Sequence, residues 1–134
     1  MNAADERGSV TVFLVGVLLA LIVMAGLVFD GGSIIAAHRE ADAEAEGAAR
    51  AAAEQLTNAS LHSGAPTIDP TRAEQAVAAY LTPYHHQGSV TVNGDNVTVT
   101  VTVPVTMQVL SIIGVSGKNV TGSGTATAVE GGVP

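Results

Sequence analysis

Side chains able to act together are sparse in this chain. His85 and His86 form its only histidine pair, and the carboxylates Glu40 with Glu44 and Asp42 with Glu46 stand four residues apart. A histidine pair can begin a metal site, but such a site needs further ligands at compatible geometry, and the segment around His85-His86 supplies none. His38, His62, Asp69 and Asp95 would have to converge from separate segments, and no ligand spacing links them, so a solvated loop before a strand is the expected setting of the pair. Carboxylates four apart share one helical face, and a charged exposed face accounts for them better than general acid–base work. With no cysteine there are no disulfide staples, thiolate zinc sites or cysteine nucleophiles. No G-x-S-x-G, H-E-x-x-H, P-loop or dinucleotide fingerprint occurs. The residue types therefore predict no enzyme: no catalytic residue, no cofactor, no metal and no small-molecule substrate.

Composition gives a different direction. The 134 residues carry 12 acidic against 5 basic side chains, a net charge of −7. Arg7, Arg39, Arg50, Arg72 and Lys118 are scattered along the chain, which argues against nucleic acid as a partner, because each neutralised phosphate needs a cation. Yet 47% of the residues are hydrophobic and only 13% charged, and the mean hydropathy is +0.39. Such a chain is built to meet lipid or another apolar surface.

The apolar residues concentrate between Arg7 and Asp30, where no charge occurs, and Val10 to Phe29 is apolar except for Thr11, Gly16 and Gly26. At a rise of about 1.5 Å per residue such a run covers roughly the 30 Å hydrocarbon core of a bilayer. A cleavable secretory signal is disfavoured by Asp5 and Glu6 before the run and by the lack of an A-x-A site soon after it. The expected layout is a cytoplasmic stub over 1–9, a transmembrane helix over 10–29, an alanine-rich extracytoplasmic helix over 30–56 and a small α+β head over 57–134. Basic residues flank both ends of the span, and the short stub favours N-terminus in, head out. Gly16 and Ala20 form a small-xxx-small pair that lets another helix approach closely.

Past Gly31-Gly32, where two glycines weaken the helix and suggest a hinge, strong helix formers resume without proline until Pro66. Ile34, Ala37, Ala41, Ala45, Ala48, Ala52 and Leu56 draw one stripe at three-and-four spacing. It buries little area per residue but permits close approach of a second helix or a sheet. Ala41, Ala45, Ala48 and Ala52 are accordingly read as an interaction surface for another protein. Glu46 and Arg50 support the exposed side as an i,i+4 pair.

Residues 57–67 read as a loop. Asp69-Pro70 places an N-cap and a first-turn proline before a short helix that ends ahead of Pro83. Ser89 to Val92 and Val97 to Val109 alternate strictly, with valines at the odd positions of the second run up to Val105 and again at Val109. If Gly94-Asp95 turns the hairpin, Val92 faces Val97 and Val90 faces Val99. Pro104 removes a ladder donor and marks an edge or bulge. A third, glycine-weakened strand is expected over Asn119 to Val129. The fold class is α+β: a long N-terminal helix, a short helix and an antiparallel sheet of about three strands. A sheet this small needs a helix against its valine face, supplied by the short helix and the lower part of the long one.

The opening run RGSVTVFLVGVLLALIVMAGLVFDGG resembles the N-terminal segment of TadE/TadG-like proteins of the bacterial tight-adherence (Tad, Flp) pilus system. Arg7, Gly8 and Ser9 match the family's opening; Asp30, Gly31 and Gly32 match its exit from the apolar span; Ala48 to Ala53 resemble the alanine-rich stretch that follows. The valine strand, Leu110-Ser111-Ile112-Ile113-Gly114 and the small-residue strand are similar in plan. The resemblance implies a membrane-anchored minor-pilin-like or assembly component of a Tad-type pilus or secretion apparatus, whose partners are other pilin-like or Tad assembly proteins. A stand-alone anchored binding module is the alternative. Processed pseudopilins of this type carry a glutamate fifth after the cleavage-site glycine; Phe13 stands there, so cleavage at Gly8 is not expected. Leu19→Arg should cost about 2.5–3.5 kcal/mol of insertion free energy. An alkaline carbonate wash should accordingly leave the wild-type chain in the membrane pellet and release a larger share of the variant.

Overall fold

The computed structural model describes residues 3–129, with side chains from Gly8 to Val129. Met1 and Asn2 of the expected stub, and the side chain of Arg7, lie outside the described residues. The order of elements is α1 (Ala3–Ala53), α2 (Ser60–Ser63), α3 (Pro70–Leu81), β1 (Gln87–Asn93), β2 (Asn96–Thr106) and β3 (Gly117–Thr127). Span and alanine-rich segment are thus one helix, roughly 75 Å long at 1.5 Å per residue. The hinge expected at Gly31-Gly32 does not break it. A Cβ at either glycine would meet nothing within 4 Å, so neither is there to admit a neighbour. The helical hydrogen bonds on both sides outweigh a local propensity cost of about 1 kcal/mol per glycine.

Asp69 caps α3 as its sequence predicts, accepting from Arg72 N–H at 3.1 Å, with Pro70 in the first turn. The segment before it is a loop that contains the single turn α2, pinned by the Leu56–Ile68 bridge and by Thr57 N–H donating to Thr67 O at 2.8 Å. The hairpin has the expected register, with Val92 opposite Val97 and Val90 opposite Val99. The sheet order is β1-β2-β3, fully antiparallel. β2 is therefore central, but β1 pairs only as far as Thr102, so Pro104 sits where β2 has β3 alone for a neighbour and its missing N–H breaks no ladder with β1. β2 stops at Thr106, short of the expected Val109, because the next residues turn onto α1. β3 begins two residues earlier than expected and ends at Thr127.

The threonine face of the sheet is open, and the other face carries the core. Val97, Val99, Val101 and Val103 of β2 are buried with Val120 of β3 and with Ala73, Val77 and Leu81 of α3. The alanine stripe closes that core: Ala41, Ala45, Ala48 and Ala52 have no exposed surface, and α1 touches β2, β3 and α3. Both helices supply the cover the sheet requires. The surface assigned to another protein is occupied by the chain's own sheet, because the stripe and the valine face are the two apolar surfaces the head must remove from water.

The contact between α1 and β3 is one of main chains. A Cβ on Gly124 would stand 2.6 Å from Glu46 Cα and 2.5 Å from the carbonyl carbon of Ala45, and one on Gly122 would overlap Ala41 and Asp42. The glycines that weaken β3 by propensity are what let the helix lie on it, and Ser123 N–H donates to Asp42 Oδ1 at 3.2 Å beside them. Gly47 does the same for α3, since a Cβ there would overlap the Tyr80 ring. Because backbone cannot move aside as a flexible side chain can, Gly124→Ala should destabilise the head by about 1–3 kcal/mol. Thermal unfolding in detergent should show the loss, and Gly31→Ala should not.

Candidate functional site

The face of α1 that meets the head does not stop at the alanines. Asp30 and Gly26 are buried on the same line, one and two turns before Ile34. A Cβ on Gly26 would overlap the Val109 side chain, so the segment after β2 rests directly on the C-terminal end of the apolar run. This junction is the site where anchor and head are joined.

Asp30 is its centre. Only 1% of its surface is exposed, and its carboxylate accepts three successive backbone N–H groups: Gln108 to Oδ1 at 3.0 Å, Val109 to Oδ2 at 3.1 Å and Leu110 to Oδ2 at 2.8 Å. These donors lead into the 3-10 turn Leu110–Ile113, whose first N–H groups have no partner inside the turn. A carboxylate of α1 thus caps a turn some 80 residues later, by charge-assisted hydrogen bonds. The N–H of Leu110 does most to hold the Asp30 pKa below its ordinary value; burial opposes it, and the N–H groups of Gln108 and Val109 add to the lowering.

Other sequence-expected residues fall in three places. Gly8, Ser9, Gly16 and Ala20 are exposed on the bare part of α1, and a Cβ at Gly8 or Gly16 would meet nothing. Gly31 and Gly32 flank Asp30 without a contact of their own, and the four alanines lie under the sheet. Three features had no signal in the sequence. Gly26 reads there as ordinary membrane-helix glycine. The turn after β2 presents Ile112 and Ile113 at 83% and 66% exposure. Glu40, Glu44 and His86 come together across the fold, although nothing near His86 in the sequence announces a ligand. The Glu46–Arg50 pair forms at 3.6 Å on the exposed side, as its spacing predicts.

Among the described residues α1 is the one helix long and apolar enough to cross a membrane, and Val10 to Met24 are exposed along it. The fold and this junction define a class: a single-helix membrane anchor continued as the stalk of a small α+β head. Residues 8–55 match the model of the Tad family, described as Flp pilus-assembly TadE/G-like. That match covers the bare span, Asp30 and the alanine stripe, and ends two residues past α1. No curated protein and no solved structure matches the chain.

The Asp30 contact makes a pH-dependent prediction. A carboxylate whose pKa is lowered on folding stabilises the fold above its ordinary value of 3.8, and that contribution is lost as pH falls through the lower folded value. Asp30→Asn should therefore loosen the turn at neutral pH, seen as faster hydrogen exchange at the Gln108 to Leu110 amides. The stability gap between variant and wild type should close as the pH is taken below the carboxylate range.

Proposed function

We propose that the chain is a minor-pilin-like or assembly component of a Tad/Flp-type pilus or secretion apparatus, with its N-terminus in the cytoplasm and its head outside. The observation that carries the reading is the division of α1. Its upper part spends its small residues on the head, whereas from Val10 to Met24 every residue is exposed in a segment that lies within the family match. The free small-residue face of α1 is then Gly16 with Ala20, within the span, and helix packing with other pilin-like proteins takes place there rather than through the alanines.

The head works close to the membrane in this reading. With Val10 to Phe29 spanning, Gly26 lies about 4–5 Å inside the hydrocarbon edge at 1.5 Å per residue. Val109 packs on Gly26, and Asp30 holds the following turn by its backbone. Ile112 and Ile113 project from that turn at the level where lipid begins, so they rest in the outer leaflet and fix the height and tilt of the head. Remaining contacts to assembly partners come from the outer parts of the head.

A photo-crosslinking side chain placed singly at Gly16 and at Ile113, in cells carrying the whole pilus system, tests both parts. Adducts from position 16 should contain pilin-like or Tad assembly proteins, and those from position 113 should be mainly phospholipid. Position 16 yielding lipid alone would remove helix packing from the reading, and protein adducts at position 113 would make that turn a partner contact instead.

A further inference from the structure

We infer that Glu40, Glu44 and His86 form a binding site for a divalent transition-metal cation of the zinc type, which clamps the stalk helix to the corner between α3 and β1. The three side chains each present a ligand atom, and these atoms lie within 4.8 Å of one another. Glu40 and Glu44 are one turn apart on α1 and so point the same way. His86 is delivered by a tight corner: the 3-10 turn Thr82–Tyr84 ends at His85, which takes a left-handed conformation at φ 58°, and the reversal aims the next residue at α1 before β1 begins. His86 Nδ1 stands 2.8 Å from Glu44 Oε2.

A histidine–glutamate hydrogen bond alone leaves one fact unexplained. Glu44 is only 5% exposed, and its Oε1 is the one buried side-chain polar atom among the described residues with no hydrogen-bond partner. Buried polar atoms in native folds are almost always satisfied, and an orphaned carboxylate oxygen beside a second carboxylate is electrostatically unfavourable. A dication held between Glu40 and Glu44 would engage that oxygen and offset both negative charges at once. The donor set names the class of ion. One imidazole nitrogen with two carboxylates and an open fourth position suits zinc and its neighbours, whereas magnesium and calcium call for more ligands, all of them oxygen. Glu40 is exposed, which leaves an entry path from solvent and room for a water in the fourth position.

The test is equilibrium dialysis and calorimetry of the untagged, chelator-treated full chain in detergent, titrated with Zn2+ and separately with Mg2+. One Zn2+ per chain should bind, with a rise in the melting temperature, and Mg2+ should do neither. Loss of a partner that merely orients a metal ligand already costs about 10–100-fold in affinity. Glu44→Gln and His86→Ala should each cost at least that much, and His38→Ala, which removes an exposed histidine elsewhere on α1, should cost nothing. Should a buried-site variant fail to fold, Glu40→Gln removes a ligand from the exposed side, and a weakened Zn2+ affinity there supports the site equally. Absence of stoichiometric Zn2+ binding by the wild-type chain, or binding unchanged in Glu40→Gln and His86→Ala, would reduce the cluster to a histidine–glutamate hydrogen bond.

Discussion

The approach of the α1 main chain to the β3 main chain is the constraint on which the head depends. Ala41 and Ala45 on the helix meet Gly122 and Gly124 on the strand with no side chain between them. That closeness lets Val99 and Val101 of β2, whose cross-strand partners are Gly124 and Gly122, pack under α1 and join the α3 side chains in one core of small aliphatic residues, with the half-buried Tyr80 at its margin. Widening the gap by one methyl group on either side would lift the helix from the sheet and leave the valine face partly wet. A domain with so little apolar area relies on closeness of packing instead of the size of its side chains.

From that contact follows the position of the polar groups. Once the stripe is seated, Asp30 and Glu44 are carried out of water on its lower and lateral margins, and each must find compensation in what the head brings to it. Asp30 finds it in three N–H groups of the segment after β2. Those bonds fix the apolar turn at the level of Gly26. Glu44 finds only half of it in His86, and the remaining oxygen leads to the cation argument. Anchor and head are thereby a single mechanical unit. The helix that carries the apolar run continues without a break into the stretch that packs on the head.

Local periodicity made most of the framework legible. The apolar run, the proline-capped α3 and the hairpin register each follow from signals within a few residues: charge-free length, Asp69 before Pro70, and valine alternation about a Gly-Asp turn. The resemblance over residues 7 to about 53 pointed to the family whose model matches residues 8–55. The glycine-rich third strand was legible as a strand, but its glycines looked like a weakness when read by propensity alone.

What the sequence by itself determined is therefore the anchor, the order of elements, the pairing of β1 with β2 and the existence of an alanine face. The tertiary structure alone decided that the alanine face goes to the chain's own sheet and not to another protein, why Asp30 stands at the end of the apolar run, and which carboxylates meet His86. The physical reason lies in range. Helix and strand signals repeat every few residues and reside in side-chain type, whereas a glycine-to-backbone contact has no side chain to announce it. The Asp30 and Glu44 contacts, in turn, join residues about 40 to 80 positions apart, brought together only when the helix settles on the sheet.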